Sequence, residues 1–292
     1  MKIIVTGSLG NISQPLAKEL VEEGHAVTVI SSKPEKQKDI EALGATAAIG
    51  SLEDVDFLVA TFTGADAVYT MVPPNFTVPD SRPHYQRIGS NYAQAIGQAG
   101  IKRVVNLSSY GADLDKGTGP ILGAHDVEGI LDKLSDVAIT HLRPTYFYYN
   151  LYSFVDMIKG AGFMAANYGG EDKIVMVSPI DIATVIAEEI VTPTIGEKVR
   201  YIASDELTGN EIASILGDAI GKPALKWEVI TSEQMKSGLE ANGVPTQLAA
   251  NLVEMFDSVH SGALREDYDR HKPIAMGNVK LADFATEFAA AF

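Results

Sequence analysis

Gly7-Ser8-Leu9-Gly10 sets two glycines three residues apart, the spacing of a turn that lets backbone approach a ligand closely. An apolar run, Ile3–Val5, precedes the turn and reads as a buried strand. An apolar-periodic segment from Ile12 follows and reads as a helix. Strand, glycine turn and helix N-terminus in that order offer a pyrophosphate backbone N–H groups and the positive end of a helix dipole. A tight turn without a ligand would use the same glycines, and Ser13 stands where a third glycine would let helix and strand pack closely. The unit closes on a second apolar run, Ala26–Ile30, and this context favours a dinucleotide. Gly7, Leu9, Gly10, Asn11 and Ile12 are the expected contacts.

The end of the second strand should meet the adenosine ribose. It carries Ser31-Ser32-Lys33, with no carboxylate before Glu35. Hydroxyls and an ammonium suit a 2′-phosphate, whereas a ribose with free hydroxyls wants a carboxylate, so NADP(H) is expected over NAD(H). A solvated loop is the plainer reading of the same residues. Ser51 and Leu52, after the third strand, should lie beside the adenine. Val72, Pro73 and Pro74 follow the fourth strand as a rigid, donor-poor wall, or simply as its terminator.

Past the fifth strand come Ser108, Ser109 and Tyr110, with hydroxyls able to face a nicotinamide and a substrate. Ser108 is a candidate both for cofactor contact and for catalysis. His125 is the second catalytic candidate, as a proton donor near neutral pH or else as a structural residue bonded to a loop carbonyl. Tyr110, Tyr146 and Asn150 are the expected substrate contacts. The aromatic run Tyr146, Phe147, Tyr148, Tyr149 and Tyr152 could stack on a planar acceptor or, in alternate members, fill core. Asp181 and Arg143 read as structural contacts or caps, and Arg265–Arg270 as a solvated face. His84, His260 and His271 have no partner at metal-ligand spacing, so no metal is expected.

The elements that must position these residues alternate along the first half. Strands are expected at Ile3–Val5, Ala26–Ile30, Thr46–Ile49, Ala67–Met71, Arg103–Leu107 and Ala138–Leu142, separated by helical patterns. That alternation predicts an α/β, Rossmann-type doubly wound parallel sheet with the ligand at the strands' C-terminal edge. Residues 1–150 would form the NAD(P)-binding domain. Residues 151–292 would form a smaller, mixed but mostly helical lobe on the substrate side, partly contributing to the same sheet. Its expected strands are Ile174–Val177 and Val199–Ala203, and capping boxes at Thr208–Glu211 and Thr231–Gln234 open two of its helices.

Composition narrows the partners. A formal charge of −15 lacks the clustered cations that nucleic acid requires, so no direct nucleic-acid partner is expected. No apolar run approaches the ~18–20 residues that span a bilayer. Zero cysteines exclude disulfides and a thiol nucleophile. With a strand beginning at the second residue and no signal-peptide head, the expected location is the cytoplasm. The expected partner is a small-molecule acceptor; monomer and dimer both remain open.

Several stretches acquire more meaning in combination. The glycine turn, Asn106-Leu-Ser-Ser-Tyr-Gly-Ala112, the helix carrying His125 and Glu128, Leu142-Arg-Pro144 running on to Asn150, and Pro179-Ile-Asp-Ile-Ala183 together resemble the NmrA-like family. These are atypical short-chain dehydrogenase/reductases, and the resemblance is to the NAD(P)H:quinone oxidoreductase 2-like branch. It runs from Lys2 to about Gly221. It implies a Rossmann domain, bound NADP(H) and a small C-terminal lobe closing a substrate cleft. The chain also departs from the pattern. Relatives that reduce ketones pair a Tyr with a Lys four residues on, where this chain has His125 and Gly129. The family also commonly has an acidic residue after the third strand, where Ser51 stands.

The expectation is therefore an NADPH-dependent reductase of a quinone-like or other conjugated acceptor, working without a Tyr-x-x-x-Lys pair. The alternative is a non-catalytic NADP(H)-binding redox sensor that signals through a protein partner.

Overall fold

The computed structural model describes residues 1–75, 78 and 80–292. Its frame is seven parallel strands: β1 (Lys2–Val5), β2 (Ala26–Ser31), β3 (Thr46–Ile49), β4 (Ala67–Thr70), β5 (Arg103–Leu107), β6 (Ala138–Pro144) and, much later, β10 (Glu197–Ile202). They lie in the order β10-β6-β5-β4-β1-β2-β3. Chain order reverses between β1 and β4, which pair Ile3 with Ala67 and Val5 with Tyr69. The crevice beyond such a reversal is where open α/β sheets bind ligands.

Strands buried on both faces need helices on both. One face carries α1 (Ser13–Glu22), α2 (Gln37–Ala42) and α7 (Pro179–Val191), packed through Leu16, Leu20, Ile40, Ile182 and Ile186. The other carries α3 (Val55–Phe62), α4 (Arg82–Ala99) and α5 (Leu122–Leu131), packed through Leu58, Phe62, Tyr92, Ile96 and Leu131. Asp54 caps α3 by accepting from the Phe57 N–H at 3.0 Å, and α4 ends on left-handed Gly100.

The rest of the chain builds a smaller, mixed part on the C-terminal edge. After β7 (Tyr146–Phe147) come α6 (Val155–Gly160), β8 (Met164–Ala166), β9 (Lys173–Val177), β11 (Asp205–Thr208), α8 (Gly209–Ala219) and β12 (Trp227–Val229). The helices α9 (Ser232–Ala241), α10 (Thr246–His260), α11 (Arg265–Arg270) and α12 (Leu281–Ala289) follow. The strand expected at Ile174–Val177 is β9; it pairs with β7 and β11 in a separate three-stranded sheet. The one expected at Val199–Ala203 is β10, which returns to the main sheet beside β6. Among the described residues, no helix is long and apolar enough to cross a membrane.

Two buried polar knots hold these parts together. Arg143 on β6 forks onto Glu128 of α5 at 3.0 and 2.7 Å and donates to Tyr201 and Asp267 at 3.1 and 3.2 Å. Asp181 at the start of α7 accepts from Ser204 Oγ at 2.6 Å and from the Asn278 and Val279 N–H groups at 3.0 and 3.1 Å. A Cβ on Gly277 would collide with that carboxylate. Arg265–Arg270 is not merely a solvated face: Tyr268 is fully buried and Arg265 pairs with Glu206 at 2.7 Å. Arg265 and Asp267 face distant partners, Glu206 and Arg143, which no local periodicity reveals, while Glu266 and Arg270 pair with each other in solvent.

Candidate active site

The turn after β1 is built around two left-handed residues, Gly7 at φ +90° and Ser8 at φ +56°. A Cβ on Gly7 would sit 2.5 Å from Ser13 Oγ and 3.2 Å from the Met71 side chain. That space is what admits Ser13. The serine is buried in the third-glycine position and donates to the Thr6 carbonyl at 2.8 Å, tying α1 back onto β1. The departure from the glycine pattern thus keeps helix and strand close by a hydrogen bond. The Gln14 N–H already donates to the Gly10 carbonyl at 3.0 Å and Pro15 has no N–H, so the donors left at the start of α1 are those of Asn11, Ile12 and Ser13. Its first turn has no acidic side chain and no side-chain cap, so nothing local cancels the positive end of the dipole. A turn in which Gly7 leaves no room for a side chain, followed by the N–H groups of Asn11, Ile12 and Ser13, fits a pyrophosphate spanning Gly7, Leu9, Gly10, Asn11 and Ile12.

Ser31, Ser32 and Lys33 do not share one role. Ser31 is buried, and its hydroxyl accepts from Ser8 Oγ at 2.9 Å and from the Lys33 N–H at 3.2 Å. It ties the β1 and β2 turns together. Ser32 and the Lys33 ammonium are exposed and make no side-chain contact with the described residues. Ser51 Oγ closes a turn by accepting from the Glu53 N–H at 3.1 Å, and the Leu52 carbonyl accepts from Asn91 at 3.0 Å. Val72 is buried, the Pro73 carbonyl lies 3.1 Å from His84 Nε2, and Pro74 reaches the cavity described next.

A cavity of about 610 Å³ begins at Ile12 and Met71, beside the glycine turn, and runs toward the C-terminal lobe. Leu107 and Ser108 line it from the end of β5, and Pro144 and Thr145 from the end of β6. Tyr85, Tyr110, Tyr146, Phe147 and Tyr149 wall it, and Asn150 and Ser153 lie along its margin. Leu252, Met255, Phe256 and Val259 close it from α10, a spacing that puts all four on one helix face. Gly119 (φ +51°) lets the loop after β5 press against α10, since a Cβ there would collide with the Asn251 carbonyl.

Two features define the cavity's chemistry. No Asp, Glu, Lys, Arg or His is among the described residues that line it. Ser108 Oγ and Thr145 Oγ1 are buried and have no hydrogen-bond partner. Buried hydroxyls are ordinarily satisfied, so two orphans on residues that line one cavity fit a ligand with its own donors and acceptors, as a carboxamide has, once a small side-chain rotation exposes them. Burial pushes the Tyr146 and Tyr149 phenols up to about 12, and the Tyr110 phenol upward too. Tyr146 accepts from Tyr168 at 3.1 Å.

The structure does not bring His125 to this cavity. Ala124 is the residue of α5 that lines it, and the next position on a helix points about 100° away. His125 Nδ1 lies 2.8 Å from the Ala112 carbonyl, and the ring borders a separate depression with Gln86, Asp126 and Lys133. Tyr-Lys spacing does occur once, at Tyr268 and Lys272, but Tyr268 Oη lies 4.0 Å from Met276 Sδ and does not line the cavity. Within the aromatic run, Tyr146, Phe147 and Tyr149 line the cavity. Tyr148 stacks on Phe284 and Tyr152 on Phe288, both in the core. Sequence reasoning missed Thr145, Tyr85 and the α10 face. Thr145 sat inside a motif already singled out, and the α10 face had a legible apolar period; Tyr85 carried no signal.

Over 296 residues the chain is 27% identical to an NAD(P)H azoreductase of Xenophilus azovorans, covering 99% of each. In fold it resembles an NADPH-dependent quinone oxidoreductase of Escherichia coli complexed with NADPH, with a TM-score of 0.84, 21% identity and coverage of 98% and 99% of the two chains. It also resembles the Citrobacter sp. triphenylmethane reductase complexed with NADP(H), with a TM-score of 0.81, 18% identity and coverage of 98% and 99%. The model of the NmrA-like family matches residues 1–285, and the chain belongs to that family.

Proposed function

We propose that this protein is an NADPH-dependent reductase that passes a hydride to a planar, conjugated acceptor held in the aromatic cavity. The observation that carries the reading is continuity: the cavity starts at Ile12 beside the glycine turn and is lined at the ends of β5 and β6 by Ser108 and Thr145, whose buried hydroxyls have no partner. Azo, quinone and dye reductases among the similar proteins support a reductase.

In this reading Gly7, Leu9, Gly10, Asn11 and Ile12 hold the pyrophosphate. Ser32 and Lys33 take the 2′-phosphate, with Ser31 shaping their turn. Ser51 and Leu52 flank the adenine, and Val72, Pro73 and Pro74 back the ribose and nicotinamide. Ser108 and Thr145 hold the carboxamide or the acceptor's polar atom, and Tyr110, Tyr146 and Asn150 border the acceptor. Bound NADPH supplies the hydride; the protein contributes orientation and exclusion of water. A conjugated acceptor spreads the charge left by hydride addition, so a quinone-like compound needs no strong acid beside it. His125 has no part in this reading.

Absence of a Tyr-Lys pair from α5 favours a second reading, a cofactor-binding sensor that acts through a protein partner. Absorbance at about 340 nm, the reduced nicotinamide band, separates the two against quinones, azo dyes and enones. Oxidation with any of them is expected. Tight NADPH binding with no oxidation by the whole panel overturns the reductase reading in favour of the sensor.

A further inference from the structure

We infer that the cavity selects planar, delocalised organic cations over neutral molecules of the same shape. The binding claim stands on the cavity alone; only its turnover arm rests on the reductase reading. Six aromatic side chains line the space: Tyr85, Tyr110, Tyr146, Phe147, Tyr149 and Phe256. Neighbours hold several of their rings in place. Phe147 and Tyr149 lie 5.1 Å apart, Phe256 stacks on Tyr168 at 4.9 Å, and Tyr110 meets Tyr268 edge-on at 6.0 Å. Fixed aromatic faces attract positive charge through their quadrupoles.

The alternatives fare worse. An anion would meet the same ring faces with no Lys, Arg or His among the described lining residues to pair with. A compact cation would lose its hydration with no carboxylate to replace it. A delocalised cation loses little hydration and keeps the ring contacts. The chain's formal charge of −15 also raises the concentration of cations around the protein.

Charge balance points the same way. Hydride addition to a cationic carbon forms one C–H bond with both electrons of the donor C–H bond and leaves a neutral product, with no proton taken up. Addition to a neutral acceptor leaves an anion that must find a proton. The phenols lining the cavity are poor acids, because burial holds those of Tyr146 and Tyr149 at about 12.

N-methylacridinium and acridine test this as a matched pair, nearly equal in shape and, at alkaline pH, different in charge. Binding to the full chain without cofactor is read by ligand fluorescence. N-methylacridinium should bind about tenfold more tightly. Equal or tighter binding of acridine overturns the inference. Tyr149→Leu and Phe256→Leu should each remove much of the preference, while Tyr149→Phe, which keeps the ring face, should retain it. If the leucine variants lower both affinities equally, the rings select for shape alone and the inference fails. Cation binding undiminished by Ala124→Trp, which sets an indole into the cavity from α5, places the site on the acidic surface and also overturns it. With NADPH, N-methylacridinium should be reduced without proton uptake by a pH indicator; one proton consumed per turnover overturns the charge-balance argument. Failure of NADPH to bind sinks the reductase reading while the cation preference remains measurable. Quinone reduction without a cation preference does the reverse.

Discussion

The two ends of the site solve opposite problems. In the proposed reading the glycine turn binds through backbone: left-handed Gly7 and Ser8, the N–H groups leading into α1, and Ser13 bonded to Thr6. At the cavity, binding depends on side chains from β5, β6, α4, α5, α10 and the residues after β6, none of them charged. A polyanion is held by many weak dipoles that are already oriented. A planar acceptor is held by area, shape and ring faces. On the proposed reading, one protein of net charge −15 can hold both because its anion site relies on local geometry, against the overall field.

Substitutions can break that contrast. The largest effect is expected from Gly10→Asp, which sets a carboxylate against the pyrophosphate; NADPH affinity measured by nicotinamide fluorescence should fall at least ~100-fold. Unchanged affinity would mean the opening turn is only a turn. At the other end, Thr145→Val removes a buried hydroxyl that has no partner in the protein. It should leave the melting temperature unchanged or raised, since no hydrogen bond is lost, while kcat/KM falls about tenfold. A loss of stability matching the loss of activity would make Thr145 structural.

Lys33→Ala separates the exposed ammonium from buried Ser31. The NADPH-over-NADH preference should narrow roughly five- to tenfold at low salt and less at high salt. A preference insensitive to both would move 2′-phosphate recognition elsewhere. His125→Ala should change turnover by less than about twofold and lower stability by about 1 kcal/mol, through the lost bond to the Ala112 carbonyl. A large kcat loss that depends on pH would bring His125 back as a donor.

The smallest effect concerns alkali. The cavity phenols Tyr146 and Tyr149 ionise at about 12 in the folded chain against 10.0 ordinarily. The folded state therefore retains protons that the unfolded state releases. Their contribution is intact below pH 10 and lost as pH rises toward 12. Chemical denaturation across that window should show the decline, and Tyr149→Phe should flatten it slightly.

Much of the architecture was legible in the chain. The strand runs, the two capping boxes and the glycine turn are local patterns, set by backbone sterics and by hydrogen bonds between residues at most a few positions apart. Those patterns were enough to expect the parallel sheet and where it opens. The rest was decided by tertiary contacts. That β10 returns to the main sheet while β9 does not depends on which edge each meets. That Ser31 shapes a turn while Ser32 and Lys33 stay free depends on Ser8, twenty-three positions away. That Ala124 lines the cavity while His125 bonds a loop depends on the rotation of α5 about its axis. Sequence by itself determined the glycine turn between β1 and α1, because its conformation is set by backbone sterics in a short segment. Only the tertiary structure decided the cavity, because its walls come from segments as far apart as Ile12 and Leu264 and exist only once those segments pack.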